Sequence, residues 1–252
     1  MTETALYWGL AALASLFVGA SKGGLPIIGM LSVPLMSIVM PPMVAAGLLL
    51  PIYILSDMYG IWLFRASFSR RNLAILIPAG AIGIGIGWAT VSITDENAVK
   101  AMIGLVGLGF LADKMRRRYK KDDRPRPAKV VPGLFWGSMA GFTSFISHAG
   151  APPYQVYILP QKLPKMVFAG TSTILFAVIN ALKLPPYIML GQVNGDSLKQ
   201  GWWLLPVALF GSWLGHRLTK IIPEKAFFVF VEVALLLVSL KLLYDGIHGY
   251  LA

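Results

Sequence analysis

The sequence contains no cysteine and only three histidines among its 252 residues. Without thiols, the chain has no disulfide framework, no thiolate metal site and no cysteine nucleophile. Charged residues are also scarce, because Asp, Glu, Lys and Arg make up 13% of the chain, against about 25% in typical soluble domains. These absences exclude a disulfide-rich secreted domain and argue against a soluble globular protein.

Apolar residues take the place of the missing charges. They account for 56% of the chain, and the mean hydropathy is +0.69. Apolar runs of about 20 residues, long enough to span a bilayer as an α-helix, recur along the sequence. The alternation of apolar and polar residues that is typical of a membrane β-barrel does not occur in the sequence. The pattern predicts an all-α, polytopic integral membrane protein with segments near residues 5–20, 25–40, 43–64, 73–92, 97–113, 131–147, 151–160, 166–184, 200–218 and 224–247.

The net charge of +11 would suit a nucleic-acid partner, but the basic residues lie mainly in loops between apolar segments. Many of them fall in one central loop, Lys114–Lys129. Basic loops of this kind mark the cytoplasmic side of a membrane protein. We therefore predict that the chain is embedded in a lipid bilayer and binds no nucleic acid.

Two short breaks in the apolar sequence resemble each other. Residues Ser21–Pro26 and Ser147–Pro152 both read Ser, a basic residue, a small residue, Gly, an apolar residue and Pro. Further matches follow in the same order at intervals of 123 to 128 residues, among them Asp57 with Asn180, Gly83 with Gly211 and Gly87 with Gly215. The pattern predicts a first transmembrane repeat at residues 1–113, a basic cytoplasmic linker at 114–130 and a second repeat at 131–252.

An odd number of segments in each half predicts that the second repeat is inverted relative to the first. Most Lys and Arg then lie on one face of the membrane, and only Lys100, Lys183, Lys199 and Lys241 lie on the other, as the positive-inside rule favours. About 8–10 transmembrane or half-membrane segments are expected, because the first two segments of each half either cross fully or form a hairpin. In inverted-repeat transporters, broken helices meet near the midplane and bind the substrate there.

Both breaks supply groups that suit an anion. Lys22 carries a positive charge inside the membrane region, where ionisable residues are usually functional, and His148 is a donor that can also become charged. Glycines let the backbone approach a ligand, and Pro26 and Pro152 can begin helices whose N-termini attract anions. The predicted substrate-binding residues are Ser21, Lys22, Gly23, Gly24, Ser147, His148, Gly150, Thr171 and Ser172. The alternative is that the Ser, Thr, Gly and Pro residues only pack or kink helices and that Lys22 extends to the membrane surface.

Asp57 is the other ionisable residue that stands out within an apolar segment. It can pair with Lys22, carry a coupling proton or cap a neighbouring helix, and these three roles remain open. The sequence has no phosphate-binding loop, no closely spaced carboxylate pair and no His-rich metal set. We therefore predict no enzymatic activity, no catalytic residues, no metal and no cofactor.

Several features of the chain follow a fixed order: Gly19–Pro26, then Ala46-Gly47, then a basic central loop and a degenerate second copy. In these features the chain resembles the sulfite exporter TauE/SafE family of bacterial membrane proteins. The resemblance implies a multi-pass protein of the bacterial inner membrane that transports sulfite, sulfoacetate, another sulfonate or thiosulfate. It also favours export over uptake. The second copy departs from the family pattern at His148-Ala149, where a further glycine would be expected.

Two functions from different classes follow. The first is a secondary transporter, in which Lys22 and His148 neutralise a small sulfur-containing anion held between the inverted repeats and alternating access moves it across the membrane. No ATP-binding motif is present, so an ion gradient, the substrate gradient or a partner would drive transport. The alternative is a membrane-embedded enzyme or assembly factor with a structural anion cavity. A homodimer is left open.

Overall fold

The computed structural model describes residues 2–119 and 124–250, and within these ranges the chain is helical and contains no strand. Ten α-helices are numbered in chain order: α1 Thr2–Lys22, α2 Ser32–Met36, α3 Pro42–Phe64, α4 Arg70–Thr90, α5 Glu96–Tyr119, α6 Val130–Ser147, α7 Ala151–Ile158, α8 Lys165–Met189, α9 Gly195–Ile221 and α10 Glu224–His248. Short 3₁₀ helices follow the two predicted breaks, at Ile28–Leu31 and Leu159–Gln161.

Six of the described helices are long and apolar enough to cross a membrane: α1, α3, α4, α6, α8 and α10. The helices α5 and α9 have 24 and 27 residues, but they carry more charged residues. The all-α, polytopic membrane architecture expected from composition is therefore confirmed. The apolar side chains that remain exposed, such as Trp203 at 75%, are those that a bilayer would cover.

The helices form two compact units, and each takes helices from both halves of the sequence. Unit 1 consists of Met1–Ser69 and Lys165–Pro223, and it contains α1, α2, α3, α8 and α9. Unit 2 consists of Arg70–Pro164 and Glu224–Ala252, and it contains α4 to α7 and α10. The compact units therefore differ from the predicted sequence repeats, which remain a prediction.

The predicted linker is partly helical, because α5 continues as far as Tyr119. Its residues 120–123, including the basic Lys120 and Lys121, lie outside the described residues. From residue 124 the chain runs without helix to the start of α6 at Val130.

In unit 1, close glycine contacts fix two helix pairs. The helices α1 and α9 run parallel, and a Cβ added at Gly19 would lie 1.8 Å from the carbonyl oxygen of Ala208. The helices α3 and α8 run antiparallel, since Gly47 near the start of α3 faces Gln192 and Gly60 near its end faces Thr173. Small residues allow this close approach, which gives membrane helices their packing energy.

Unit 2 repeats the same two kinds of helix pair. The helices α4 and α6 run parallel, and a Cβ added at Gly141 would lie 2.1 Å from the carbonyl oxygen of Gly80. The helices α5 and α10 run antiparallel, with Gly104 against Leu243 and Gly246 against Ala101. Close backbone approach at glycine therefore contributes to the packing of both units.

Two expected helix boundaries were wrong. The segment predicted to end at residue 184, before Pro185-Pro186, continues as α8 to Met189 with both prolines inside it. Proline removes only its own N–H, and near a helix C-terminus the lost bonds involve few carbonyl groups. The segment predicted at 25–40 is broken into turns, a 3₁₀ helix and the five-residue α2, so no long helix begins at Pro26.

Candidate functional site

A buried ion pair joins the first break to the next long helix. Lys22 is the last residue of α1, and its Nζ lies 2.7 Å from Oδ1 of Asp57 in α3. Both residues are 3% exposed. Gly60, one turn beyond Asp57, makes room for this contact, because a Cβ there would lie 3.0 Å from the carbonyl oxygen of Lys22. Of the three roles considered for Asp57, pairing with Lys22 is the one seen in the structure.

Helix α8 adds an amide and a second ammonium group to this pair. Nδ2 of Asn180 donates a 2.8 Å hydrogen bond to Oδ2 of Asp57. Lys183, one turn further along α8, is completely buried and interacts electrostatically with both Asp57 and Lys22. We refer to Lys22, Asp57, Asn180 and Lys183 as the charge cluster. Sequence reasoning missed Lys183, which was placed with the loop lysines because α8 was expected to end just after it.

Two tyrosine rings border the lysines of the charge cluster. The Nζ of Lys22 lies 4.8 Å from the centre of the Tyr53 ring, and the Nζ of Lys183 lies 6.0 Å from that of Tyr187. Ring faces attract cations, most strongly where water is excluded. The hydroxyl of Tyr53 is held by donating to the carbonyl oxygen of Gly29, at 2.6 Å. The rings therefore help to hold both ammonium groups in place.

The composition of the charge cluster has an electrostatic consequence. It holds two lysines and one carboxylate, so it carries an excess of one positive charge when all three groups are ionised. A buried charge without compensation is costly, and buried ammonium groups within a membrane usually mark a binding or transport pathway. A buried cluster of this composition suits a negatively charged ligand.

Other residues of the first break have contacts that explain them by packing. Ser21 donates its hydroxyl to the carbonyl oxygen of Val18 at 2.6 Å, as helical serines often do. A Cβ at Gly23 would lie 2.4 Å from the carbonyl oxygen of Ser212 in α9. Gly24 has φ = +110°, a conformation that favours glycine. A direct role for these three residues in anion binding remains a prediction.

The two hydroxyl residues predicted on α8 differ in how their hydrogen bonds are satisfied. Thr171 donates to the carbonyl oxygen of Val167 at 2.6 Å and accepts from the N–H of Ser69 at 2.9 Å. Ser172 is 1% exposed, and its Oγ has no partner among the described residues. Its neighbour Thr173 donates to the carbonyl oxygen of Lys22 at 3.3 Å. Of Thr171 and Ser172, Ser172 is therefore the residue whose hydroxyl can donate a hydrogen bond to a ligand.

The second break lies in unit 2. His148 ends α6 in the left-handed conformation, with φ = 52°, and its N–H bonds to the carbonyl oxygen of Thr143. The hydroxyl of Ser147 donates to the same carbonyl at 3.2 Å. Gly150 is the N-cap of α7, but Pro152 and the following proline have no N–H. The helix N-terminus expected here does form, with fewer donors than an ordinary one.

The structure therefore brings together part of the predicted site within unit 1. Lys22 and Asp57 are in direct contact, and Ser172 lies on the helix that contributes Asn180 and Lys183. Ser147, His148 and Gly150 belong to unit 2. That the two breaks converge on one anion remains a prediction.

Six long apolar helices among the described residues define a polytopic integral membrane protein, and its buried charge cluster has a composition that suits an anion. The family model for the sulfite exporter TauE/SafE family matches residues 9–242. The chain belongs to this family, and the resemblance seen in the first break and the central loop is confirmed. Comparison with curated proteins gives no match, and comparison with solved structures also gives none.

Proposed function

We propose that the protein is a secondary transporter that exports a small sulfur-containing anion, such as sulfite, sulfoacetate or another sulfonate, across the bacterial inner membrane. Membership of a sulfite exporter family supports transport as the activity and a sulfur oxyanion as the substrate. In this proposal the anion binds at the charge cluster and alternating access between two inverted repeats carries it across. The family description is also the reason for preferring export.

The observation that carries this proposal is the excess of one positive charge in the charge cluster. Lys22 and Lys183 are 3% and 0% exposed, and Asp57 is the carboxylate in electrostatic contact with both. A sulfite or sulfonate group offers several acceptor oxygens, and hydrogen bonds from charged donors to such groups are the strong ones. A bound monoanion would balance the excess charge.

Ser172 can add a hydroxyl donor to the same anion. It lies two turns before Asn180 on α8, its Oγ is buried, and that atom has no partner among the described residues. A buried hydroxyl left without a hydrogen bond costs roughly 1–3 kcal/mol, which a bound oxyanion would recover. This is why we keep Ser172 among the proposed binding residues.

The packing of corresponding helices supports inverted repeats. The sequence correspondence pairs α3 with α8, and within unit 1 these helices run antiparallel. It also pairs Asp57 with Asn180, and these two side chains hydrogen-bond to each other. Two residues at corresponding positions of the repeats contact each other when they lie near the two-fold axis that relates the repeats. Because the two helices run antiparallel, that axis lies in the membrane plane. The antiparallel pair α5 and α10 in unit 2 fits the same relation.

Flux measurements on purified protein in liposomes test the proposal. Labelled sulfite, sulfoacetate and methanesulfonate are loaded inside, and efflux is followed with and without a proton or sodium gradient. We expect efflux above that of protein-free liposomes for at least one of these anions. Lys22→Gln and Lys183→Gln should each reduce the rate at least tenfold, because each removes a charge that the anion needs.

Lys199→Gln is the matched control, since Lys199 is an exposed lysine in the same unit. It should leave flux unchanged. Efflux at the protein-free level for all three anions under every gradient would refute transport and favour a membrane-embedded enzyme or assembly factor. Efflux that survives Lys22→Gln and Lys183→Gln would remove the charge cluster from the pathway.

A further inference from the structure

Gln155 in α7 is completely buried, and neither atom of its side-chain amide has a hydrogen-bond partner among the described residues. Another buried glutamine, only six residues further along, behaves differently. Gln161 exchanges two hydrogen bonds with the side-chain amide of Asn72, at 2.9 and 3.0 Å. Unit 2 can therefore satisfy a buried amide, and the unsatisfied state of Gln155 needs its own explanation.

An unsatisfied buried amide is expensive. Each buried donor or acceptor without a partner costs roughly 1–3 kcal/mol, and folded proteins leave few of them. An apolar side chain of the same size would avoid this cost. A glutamine at this position therefore points to a ligand that supplies the missing partners.

The position of Gln155 indicates where that ligand lies. Helical side chains lean towards the helix N-terminus, so Gln155 extends over the first turn of α7. The N-cap of that turn is Gly150, two residues after His148, which caps the end of α6. The second and third residues of α7, Pro152 and Pro153, have no N–H to offer. The amide of Gln155 supplies a donor at a helix N-terminus where two backbone donors are missing.

The chemistry of the amide restricts the ligand further. Nε2 donates and needs an acceptor, whereas Oε1 accepts and needs a donor. Sulfite dianion and simple alkylsulfonates have acceptor oxygens only. A protonated oxyanion such as hydrogen sulfite has both acceptor oxygens and an acidic proton.

We propose that Gln155, with the segment His148–Gly150, forms a subsite in unit 2 for a sulfur oxyanion that carries a proton, of which hydrogen sulfite is the smallest example. This inference rests on the proposed function for the identity of the anion class. It adds a specificity-determining residue: Gln155 favours a protonated monoanion over an anion with acceptors alone.

Binding to the purified full-length protein tests this subsite. Hydrogen sulfite, at mildly acidic pH, and methanesulfonate are titrated by calorimetry into the wild type and Gln155→Leu. We expect the wild type to prefer hydrogen sulfite. Gln155→Leu should weaken hydrogen sulfite binding about ten- to a hundredfold, as for loss of hydrogen bonds to a charged ligand. Methanesulfonate binding should change less, because only the donor Nε2 could contact it.

Stability separates a binding role from a structural one. Gln155→Leu should keep or raise the thermal midpoint of the ligand-free protein, because it removes an unsatisfied amide. Gln161→Leu is the matched control. It should lower the midpoint, since it removes both hydrogen bonds between Gln161 and Asn72, and it should leave the affinity unchanged. If Gln155→Leu does not fold, Gln155→Met takes its place in both measurements, because methionine keeps the length of the side chain.

Each result bears on a separate claim. Wild-type protein that binds hydrogen sulfite no more tightly than methanesulfonate overturns the inference, as does equal hydrogen sulfite affinity in wild type and Gln155→Leu. Binding that depends on Gln155, without any flux in liposomes, upholds the subsite and refutes transport. Flux that is insensitive to Gln155→Leu upholds transport and refutes the subsite.

Discussion

Removal of Asp57 should destabilise the protein far more than removal of Lys22, although the two residues form one ion pair. Asp57→Asn leaves Lys22 and Lys183 buried with no carboxylate in the charge cluster. Lys22→Gln leaves Asp57 bonded to Asn180 and balanced by Lys183. Asp57→Asn therefore removes the carboxylate that interacts with both ammonium groups, whereas Lys22→Gln keeps that carboxylate together with Lys183.

The expected magnitudes follow from these contacts. Removal of one partner of a buried pair costs about 3–5 kcal/mol when the other is left uncompensated, which applies to Asp57→Asn. Lys22→Gln loses one charged contact of Asp57 but leaves that carboxylate with Asn180 and Lys183, so we expect a smaller cost of about 1–3 kcal/mol. A difference of about 2 kcal/mol corresponds to an apparent melting temperature about 4–8 °C lower for Asp57→Asn, by the scaling for chains of this size.

The double variant Lys22→Gln/Asp57→Asn gives the sharpest result. With Asp57 absent, removal of Lys22 relieves repulsion between the two ammonium groups, so the double variant should be more stable than Asp57→Asn alone. The same Lys22 substitution destabilises the protein when Asp57 is present. This change of sign is a direct measure of coupling within the charge cluster.

The assay is thermal unfolding in detergent without added anions, followed by tryptophan fluorescence. Lys199→Gln, at an exposed position in the same unit, should change the free energy of unfolding by no more than about 0.5 kcal/mol. Equal destabilisation by Lys22→Gln and Asp57→Asn would contradict the central role of the Asp57 carboxylate. A double variant that is less stable than Asp57→Asn would do the same.

Two further substitutions test the packing and the helix ends. Gly19→Ala should lower the apparent melting temperature by several degrees, since its Cβ would lie 1.8 Å from a carbonyl oxygen of α9. Gly85→Ala is the control and should be neutral or slightly stabilising, because no atom lies within 4 Å of the added Cβ. Equal effects of the two substitutions would contradict the α1–α9 contact. Asn194→Ala should cost about 1 kcal/mol, because the Asn194 side chain accepts two backbone N–H bonds at the start of α9. An unchanged midpoint in thermal unfolding would show that this cap contributes nothing.

Composition and apolar run lengths were sufficient to predict the fold class. Twenty apolar residues in a row have few alternatives to a membrane helix, because every backbone polar group must be satisfied within the segment. The family could likewise be predicted from the first break, since the order of its basic, glycine and proline residues is local information. Lys22 and Asp57 stood out for the same reason, as charges within apolar sequence.

Local sequence misplaced Lys183. The following Pro185-Pro186 is an ordinary helix-stop signal, so a lysine just before it was expected to lie in a loop. Tertiary packing kept α8 helical to Met189 and buried the ammonium group of Lys183, which interacts electrostatically with Asp57. The energy that decides this comes from contacts between helices that are far apart in the sequence.

The sequence by itself determined that the chain is helical, lies in a membrane and carries charge at the first break, because each of these follows from residues close together along the chain. Only the tertiary structure decided that Asp57 pairs with Lys22, that Lys183 joins them, and that the amide of Gln155 is buried without a partner. These features depend on which helix faces lie together, and helix packing is set by the shapes and small residues of both partners rather than by either sequence alone.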